Sequence, residues 1–110
     1  MTIIKIIEST QYKRDLKKLT RKHMDYEYNR LLIIIELILN EDNMSSLMLN
    51  GYSKIYNIEK KKGNLKEYYT ARLNTKIRLI MKPCGDYPYN LIEIEKIEFI
   101  KIDDSHYGEG

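Results

Sequence analysis

Side chains able to transfer a proton near neutral pH are scarce in this chain. There are two histidines, His23 and His106, and a single thiol, Cys84. Histidine suits proton transfer because its unperturbed pKa lies close to neutrality. Cationic groups are plentiful, with 19 Lys and Arg. The planar fork of arginine donates in pairs to phosphate oxygens, so it suits charge developing around phosphorus. Arg72 and Arg78 both lie opposite apolar positions in alternating segments, which fits a strand surface or a site.

Each of these residues has a plain structural alternative. His106, beside Asp103 and Asp104, could be a solvated residue of the chain end. Arg72 and Arg78 could sit in exposed ion pairs of little value. The Asp103-Asp104-Ser105-His106 run has one histidine and no second ligand cluster, so no metal site is expected. Cys84 has only Lys82 as a basic neighbour, which is poor support for a thiolate nucleophile. His23 fits a helix end, where the dipole favours a cation.

The 110 residues are 43% hydrophobic and 32% charged, a composition that folds and is expected to make one domain over 1–110. One cysteine excludes an intrachain disulfide, and a reducing, cytoplasmic compartment fits best. The first residues lack the basic head and long apolar stretch of a signal peptide. The longest apolar run, Leu31–Leu39, is interrupted by Glu36 and is far short of the roughly 20 residues of a membrane span. Net charge is +3 and the pI about 8.9, which permits an acidic partner or nucleic acid without demanding one. The ten tyrosines can stack on bases, but they also fill half-wet strands.

These residues need elements to position them. Residues 2–8, rich in isoleucine, read as a strand. Ser9-Thr10 offers an N-cap, and Tyr12, Leu16, Leu19 and His23 form one face of a first helix whose outside is strongly basic. A second helix runs from Asp25 to about Asn40. It is apolar nearly all round, so Leu31–Leu39 is expected to be the most buried segment, held between layers. Residues 41–52 read as a loop with room for a helical turn. Residues 54–61 are expected to alternate as a strand before a Gly63-Asn64 turn. Tyr69, Ala71 and Leu73 point one way and Thr70 and Arg72 the other. Ile77, Leu79 and Met81 alternate with Arg78 and Lys82. A loop over 83–90 follows, then a last strand within 91–103 whose pattern slips near Glu95–Lys96, as a bulge or a late start would make it. The expected fold is α+β: an N-terminal strand, a two-helix hairpin, then three to four antiparallel strands forming one twisted sheet with the hairpin on one face.

This order resembles the RelE/ParE toxin superfamily. YKRDLKKLTRK, residues 12–22, is similar to the family's first helix, an aromatic followed by a Lys-Asp-Leu-Lys-Lys-Leu-like run. The Tyr69–Ile80 segment resembles the central strand pair, a basic or polar strand, a tight turn and a Tyr-Arg-apolar-apolar strand. The ending Ile102-Asp103-Asp104-Ser105-His106-Tyr107 is similar to the Asp/His/Tyr endings of HigB-like and YafQ-like members. The resemblance implies the toxin of a type II toxin–antitoxin system. Its implied activity is metal-independent, cofactor-free cleavage of mRNA in the ribosomal A site.

Carried over position by position, Arg72 and Arg78 match basic residues of the central strands, and His106 and Tyr107 match the terminal catalytic pair. Lys54, Lys60, Lys61, Lys62 and Lys76 are the expected RNA contacts. The expected partners are a cognate antitoxin, the ribosome and mRNA, with no membrane. Thr70 stands where some members carry lysine, and Ile77 replaces the usual aromatic before Arg78. Two other functions suit the same fold. One is a ParE-like inhibitor of DNA gyrase, which would not need His106 or Tyr107. The other is a binding module that has lost catalysis.

Overall fold

The computed structural model describes residues 3–104. In chain order it contains β1 (Lys5–Glu8), α1 (Thr10–Arg21), α2 (Asp25–Leu39), α3 (Met44–Leu49), α4 (Gly51–Ile55), β2 (Glu59–Lys60), β3 (Tyr69–Arg72), β4 (Ile77–Pro83) and β5 (Lys96–Asp104). Short 3-10 turns occupy Gly63–Leu65 and Leu91–Glu93. The expected α+β order is present, and the strands form one sheet in the order β1-β5-β4-β3-β2. The sheet is mixed rather than antiparallel throughout. β1 runs parallel to β5, while the other neighbouring pairs are antiparallel. A parallel neighbour requires a long crossover, and here the helices and three strands between β1 and β5 supply it.

Ser9 explains how α1 is joined to the sheet. Its hydroxyl accepts from Tyr12 N as the helix N-cap and donates to the Ile100 carbonyl at 2.6 Å, while its own N–H donates to the Phe99 carbonyl. One turn later Asp15 accepts from the Ile102 N–H at 2.9 Å. β1 ends opposite Phe99, so α1 satisfies backbone groups of β5 that have no strand beside them. Tyr12 packs edge-on against Phe99, with ring centroids 5.2 Å apart.

The turn between α1 and α2 is a Schellman ending. Met24 N–H donates to Leu19 O and His23 N–H to Thr20 O, with His23 at φ 55°. His23 is therefore a helix-end residue, as its position in the sequence suggests. Asn57 ends α4 in the same way, at φ 55° with Ile58 N–H bonded to Ser53 O.

Three expectations need correction. The apolar helix α2 is not buried all round: Leu31, Ile34 and Ile38 are fully enclosed, but Leu32 and Ile33 are 44% and 47% exposed. It packs on one layer only, so only the positions at three- and four-residue spacing on that side are covered. Residues 41–55 are not an open loop leading into a strand. They hold two short helices, α3 started by an Asn43–Ser46 capping box and α4 by the Asn50 side chain. The strand expected over 54–61 shrinks to Glu59–Lys60, because Ile55 and Ile58 are three apart and suit a helix end, not a pleat.

The slip near Glu95–Lys96 is a late strand start, since β5 begins at Lys96. The bulge lies further on, where Ile80 pairs with Lys101 and Met81 with Phe99, leaving Ile100 as the extra residue. The core is one cluster that includes Tyr12, Leu31, Ile34, Ile38, Ala71, Leu79, Met81 and Phe99.

Candidate nucleic-acid interface

β4 alternates along its whole length: Ile77, Leu79, Met81 and Pro83 are buried, while Arg78, Ile80 and Lys82 reach the other face. Residues directly opposite in a pleated sheet project to the same side. Arg72 of β3 lies opposite Arg78, and Arg78 lies opposite Asp103 of β5. The three form one row across the face turned away from the buried cluster. Two like charges directly opposed work against pairing, and Asp103 is the next residue of the row on the far side of Arg78.

Arg72 is the most firmly placed of the three. Its N–H donates to the Tyr56 carbonyl at 3.1 Å and its carbonyl accepts from Arg30 Nε at 2.6 Å. Arg30 also bonds the Ile55 carbonyl and lies 4.6 Å from the centre of the Tyr56 ring, tying α2 and α4 to the end of β3. The Arg72 Nε is buried without a hydrogen-bond partner among the described residues. At the β3–β4 turn the Asn74 side chain accepts from Lys76 N and Ile77 N and donates to Glu27 of α2, fixing the register that opposes the two arginines.

Beside the row lies a groove of about 430 Å³. Thr70, Arg78 and Ile80 come from β3 and β4, and Ile100, Lys101 and Asp103 from β5. Lys61, Leu65 and Tyr68 complete the lining. These last three belong to a closed loop: Lys61 N–H donates to the Tyr68 carbonyl and Tyr68 N–H to the Leu65 carbonyl, both at 2.9 Å. Gly63 turns the chain at φ 67°, a conformation that favours glycine. The Tyr89 hydroxyl donates to the Glu67 carbonyl at 2.7 Å and braces the loop from behind. Burial, and then the Glu67 carboxylate, push the Tyr89 phenol up to about 12. Lys82 reaches Glu67 at 3.6 Å, and Lys101 reaches Asp103 at 3.7 Å.

The residues expected from sequence divide clearly. Arg72 and Arg78 are brought together, and Lys61 lines the groove beside Arg78. The other four lysines do not line it. Lys54 is on α4, Lys62 caps the Gly63–Leu65 turn from the outside, and Lys76 is in the β3–β4 turn. Lys60 is opposite the buried Tyr69 and so projects to the wrong side of the sheet. His106 and Tyr107 lie outside the described residues. Lys101, Leu65, Tyr68, Ile80 and Ile100 were missed. Alternation with Asp103 is a signal for Lys101. Ile100 had none, because the bulge that turns it towards the groove follows from the pairing with β4. Cys84 is exposed, and burial followed by Glu98 pushes its thiol up, away from thiolate character.

No family model and no curated protein matches the sequence. Solved structures do match. A chain of the Escherichia coli DinJ–YafQ toxin–antitoxin complex shares 23% identity and a TM-score of 0.66, over 97% of this chain and 98% of that one. This chain has the fold of the RelE/ParE-like toxins. The RelBE2 toxin–antitoxin complex of Mycobacterium tuberculosis matches at 17% identity and TM-score 0.51, covering 94% of this chain and 93% of that one. A YoeB/ParE toxin of Agrobacterium tumefaciens matches at 12% and 0.52, covering 92% and 98%. The RelE-like fold thus spans nearly the whole length of this chain, and among the described residues no helix is long and apolar enough to cross a membrane.

Proposed function

We propose that this chain is the toxin of a type II toxin–antitoxin pair and cleaves mRNA on the ribosome. The observation that carries the reading is the cross-strand row Arg72–Arg78–Asp103 beside a groove, at the point where β5 ends with Asp104 opposite Ile77. His106 follows Asp104 by two residues in the sequence. The resemblance of the C-terminal run to Asp/His/Tyr endings, and the likeness in fold to toxins solved with their antitoxins, support the same reading.

In this mechanism the RNA 2′-hydroxyl loses a proton and attacks the adjacent phosphorus, the bond to the 5′-oxygen breaks, and that oxygen gains a proton. Arg78 stabilises the charge on the phosphorane, and Arg72 holds the phosphate in register beside it. His106 moves a proton, and Tyr107 positions the RNA by stacking or hydrogen bonding. Lys61 extends the cationic surface along the strand. The antitoxin is a protein with an acidic or amphipathic segment that covers this cationic groove, and its affinity falls as salt is raised.

Cell-free translation followed by mapping of mRNA ends tests the reading. The expected result is cleavage that requires translating ribosomes. Intact mRNA together with inhibited gyrase supercoiling would replace it with the gyrase reading, and neither effect would leave a binding module.

A further inference from the structure

Arg72 stands where the sheet loses a strand. β2 pairs with Tyr69 and Thr70, so beyond Thr70 the outer edge of β3 has no strand beside it among the described residues. The bare backbone groups of such an edge need partners, and here two other elements supply them. Tyr56, just after α4, accepts from the Arg72 N–H, and Arg30 of α2 donates its Nε–H to the Arg72 carbonyl. Both backbone groups of Arg72 therefore point away from β4. Leu73, one residue on, donates to the Ile77 carbonyl across the turn. By the antiparallel pattern, Arg72 and Arg78 are a pair without hydrogen bonds between them, the kind that brings opposed side chains closest. Two guanidinium groups repel there, and the bonds that hold the Arg72 backbone against that repulsion come from outside the sheet.

We propose that Arg30 is a positioning residue: it fixes the Arg72 carbonyl and so holds the Arg72 guanidinium beside Arg78, ready for a phosphate group. The assignment rests on the ribonuclease reading only for which phosphate that is. The fork of Arg30 joins two elements, with Nε on the Arg72 carbonyl at 2.6 Å and Nη2 on the Ile55 carbonyl at 3.1 Å. Its guanidinium carbon lies 4.6 Å from the centre of the Tyr56 ring, and the Tyr56 carbonyl holds the Arg72 N–H. A lysine keeps the charge but has no planar fork to bond both carbonyls. α2 is a firm base for this clamp. Glu27 lies one turn before Arg30 and accepts from Asn74 in the β3–β4 turn, so two residues on one helix face hold the same corner of the sheet. The Arg72 Nε is buried and has no hydrogen-bond partner among the described residues. No bond at that atom fixes the guanidinium, so its place depends on the backbone beneath it.

NMR of the arginine side chains in the intact protein reads the clamp without an enzyme assay. Inorganic phosphate is titrated into the wild type, Arg30→Ala and Arg30→Lys. The lysine variant keeps the charge and loses the fork, and it guards against a failure of Arg30→Ala to fold. The expected result is that phosphate shifts the Arg72 and Arg78 Nε–H signals of the wild type together. In Arg30→Lys phosphate is expected to bind about tenfold more weakly, within the usual range for coupled neighbours. Binding of wild-type strength in Arg30→Lys, or no shift of either signal in the wild type, overturns the proposal.

A second arm measures mRNA cleavage at saturating ribosome complex in a double-variant cycle. Arg30→Lys is expected to lower the saturating rate about ten- to hundredfold and leave the half-saturating concentration unchanged, as misplacement of a group at the reacting phosphate does. In an Arg72→Ala background the same substitution is expected to change nothing further, because the group that Arg30 places is gone. An equal fall in both backgrounds would make Arg30 a merely structural residue and overturns the proposal. Phosphate binding that depends on Arg30, in a wild type that leaves mRNA intact, rejects the ribonuclease reading while the clamp stands.

Discussion

The two faces of β3 and β4 follow the same alternation and end in opposite states. On one face Ala71, Leu73, Ile77, Leu79 and Met81 are enclosed by helices. On the other, Arg72 and Arg78 oppose one another and Lys101 and Asp103 stand beside them. The buried face is what the sheet gains by folding, at about 1.5–3 kcal/mol for each large side chain enclosed. The open face opposes two like charges and leaves apolar Leu65 in solvent, neither of which helps the sheet to form. A face that adds little to stability is the place where function can be read with least interference from folding.

The comparison is broken most directly by substituting one residue on each face. Arg78→Ala and His106→Ala are each expected to lose about 10²–10⁴-fold in mRNA cleavage, the usual range for a charge stabiliser or a positioned acid or base. Arg78→Ala should lower the denaturant midpoint far less than loss of an enclosed side chain from the buried face does. Full cleavage by the double variant of Arg78 and His106, with folding confirmed by circular dichroism, would move the chemistry elsewhere.

One residue along, Leu79→Ala is expected to cost about 2–5 kcal/mol of stability, because it removes a fully enclosed side chain from the shared cluster. Urea unfolding measures this as a lower midpoint at unchanged slope. An equal loss from Arg78→Ala would show that the two faces are not separable in the way proposed.

Ser9→Ala sharpens the contrast at the α1–β5 joint. It removes the N-cap and the bond to the Ile100 carbonyl, and about 0.5–2 kcal/mol is expected. Hydrogen exchange should rise at Tyr12 and at Ser9 and leave the β3–β4 turn unchanged.

The smallest effect is on pH dependence. Tyr89 holds its proton in the folded state up to about 12, above the ordinary 10.0 of a phenol, chiefly through burial. The folded form therefore binds more protons than the unfolded form between those values. Stability contributed by this group is complete below pH 10 and falls as pH rises towards 12. Tyr89→Phe should flatten part of that fall in alkaline unfolding curves; an unchanged slope would show that burial does not hold the proton on Tyr89.

The helical hairpin and central strands are legible because their signals are local. Ser9 is followed by apolar residues at helical spacing, and Ile77, Leu79 and Met81 alternate with Arg78 and Lys82 at a period of two. The short elements are less legible. α3 and α4 are six and five residues long, and their starts depend on Asn43 and Asn50 side chains that fit a turn equally well. α2 shows the limit from the other side: its composition says that it can be buried on every side, but the number of layers around it is decided by the rest of the chain.

The sequence by itself determined that Arg72 and Arg78 lie opposite the apolar faces of their own strands, because alternation is a property of one strand. Only the tertiary structure decided that they face each other with Asp103 next in the row, since that follows from register between strands, set by the Asn74 turn and the bulge at Ile100. The same holds for the lysines. Their charge is written in the sequence, but only Lys61 of the five expected contacts lines the groove, because the loop that begins with it folds back and bonds to Tyr68. A charge acts over a few ångströms, and positions distant along a chain come that close only through pairing and packing.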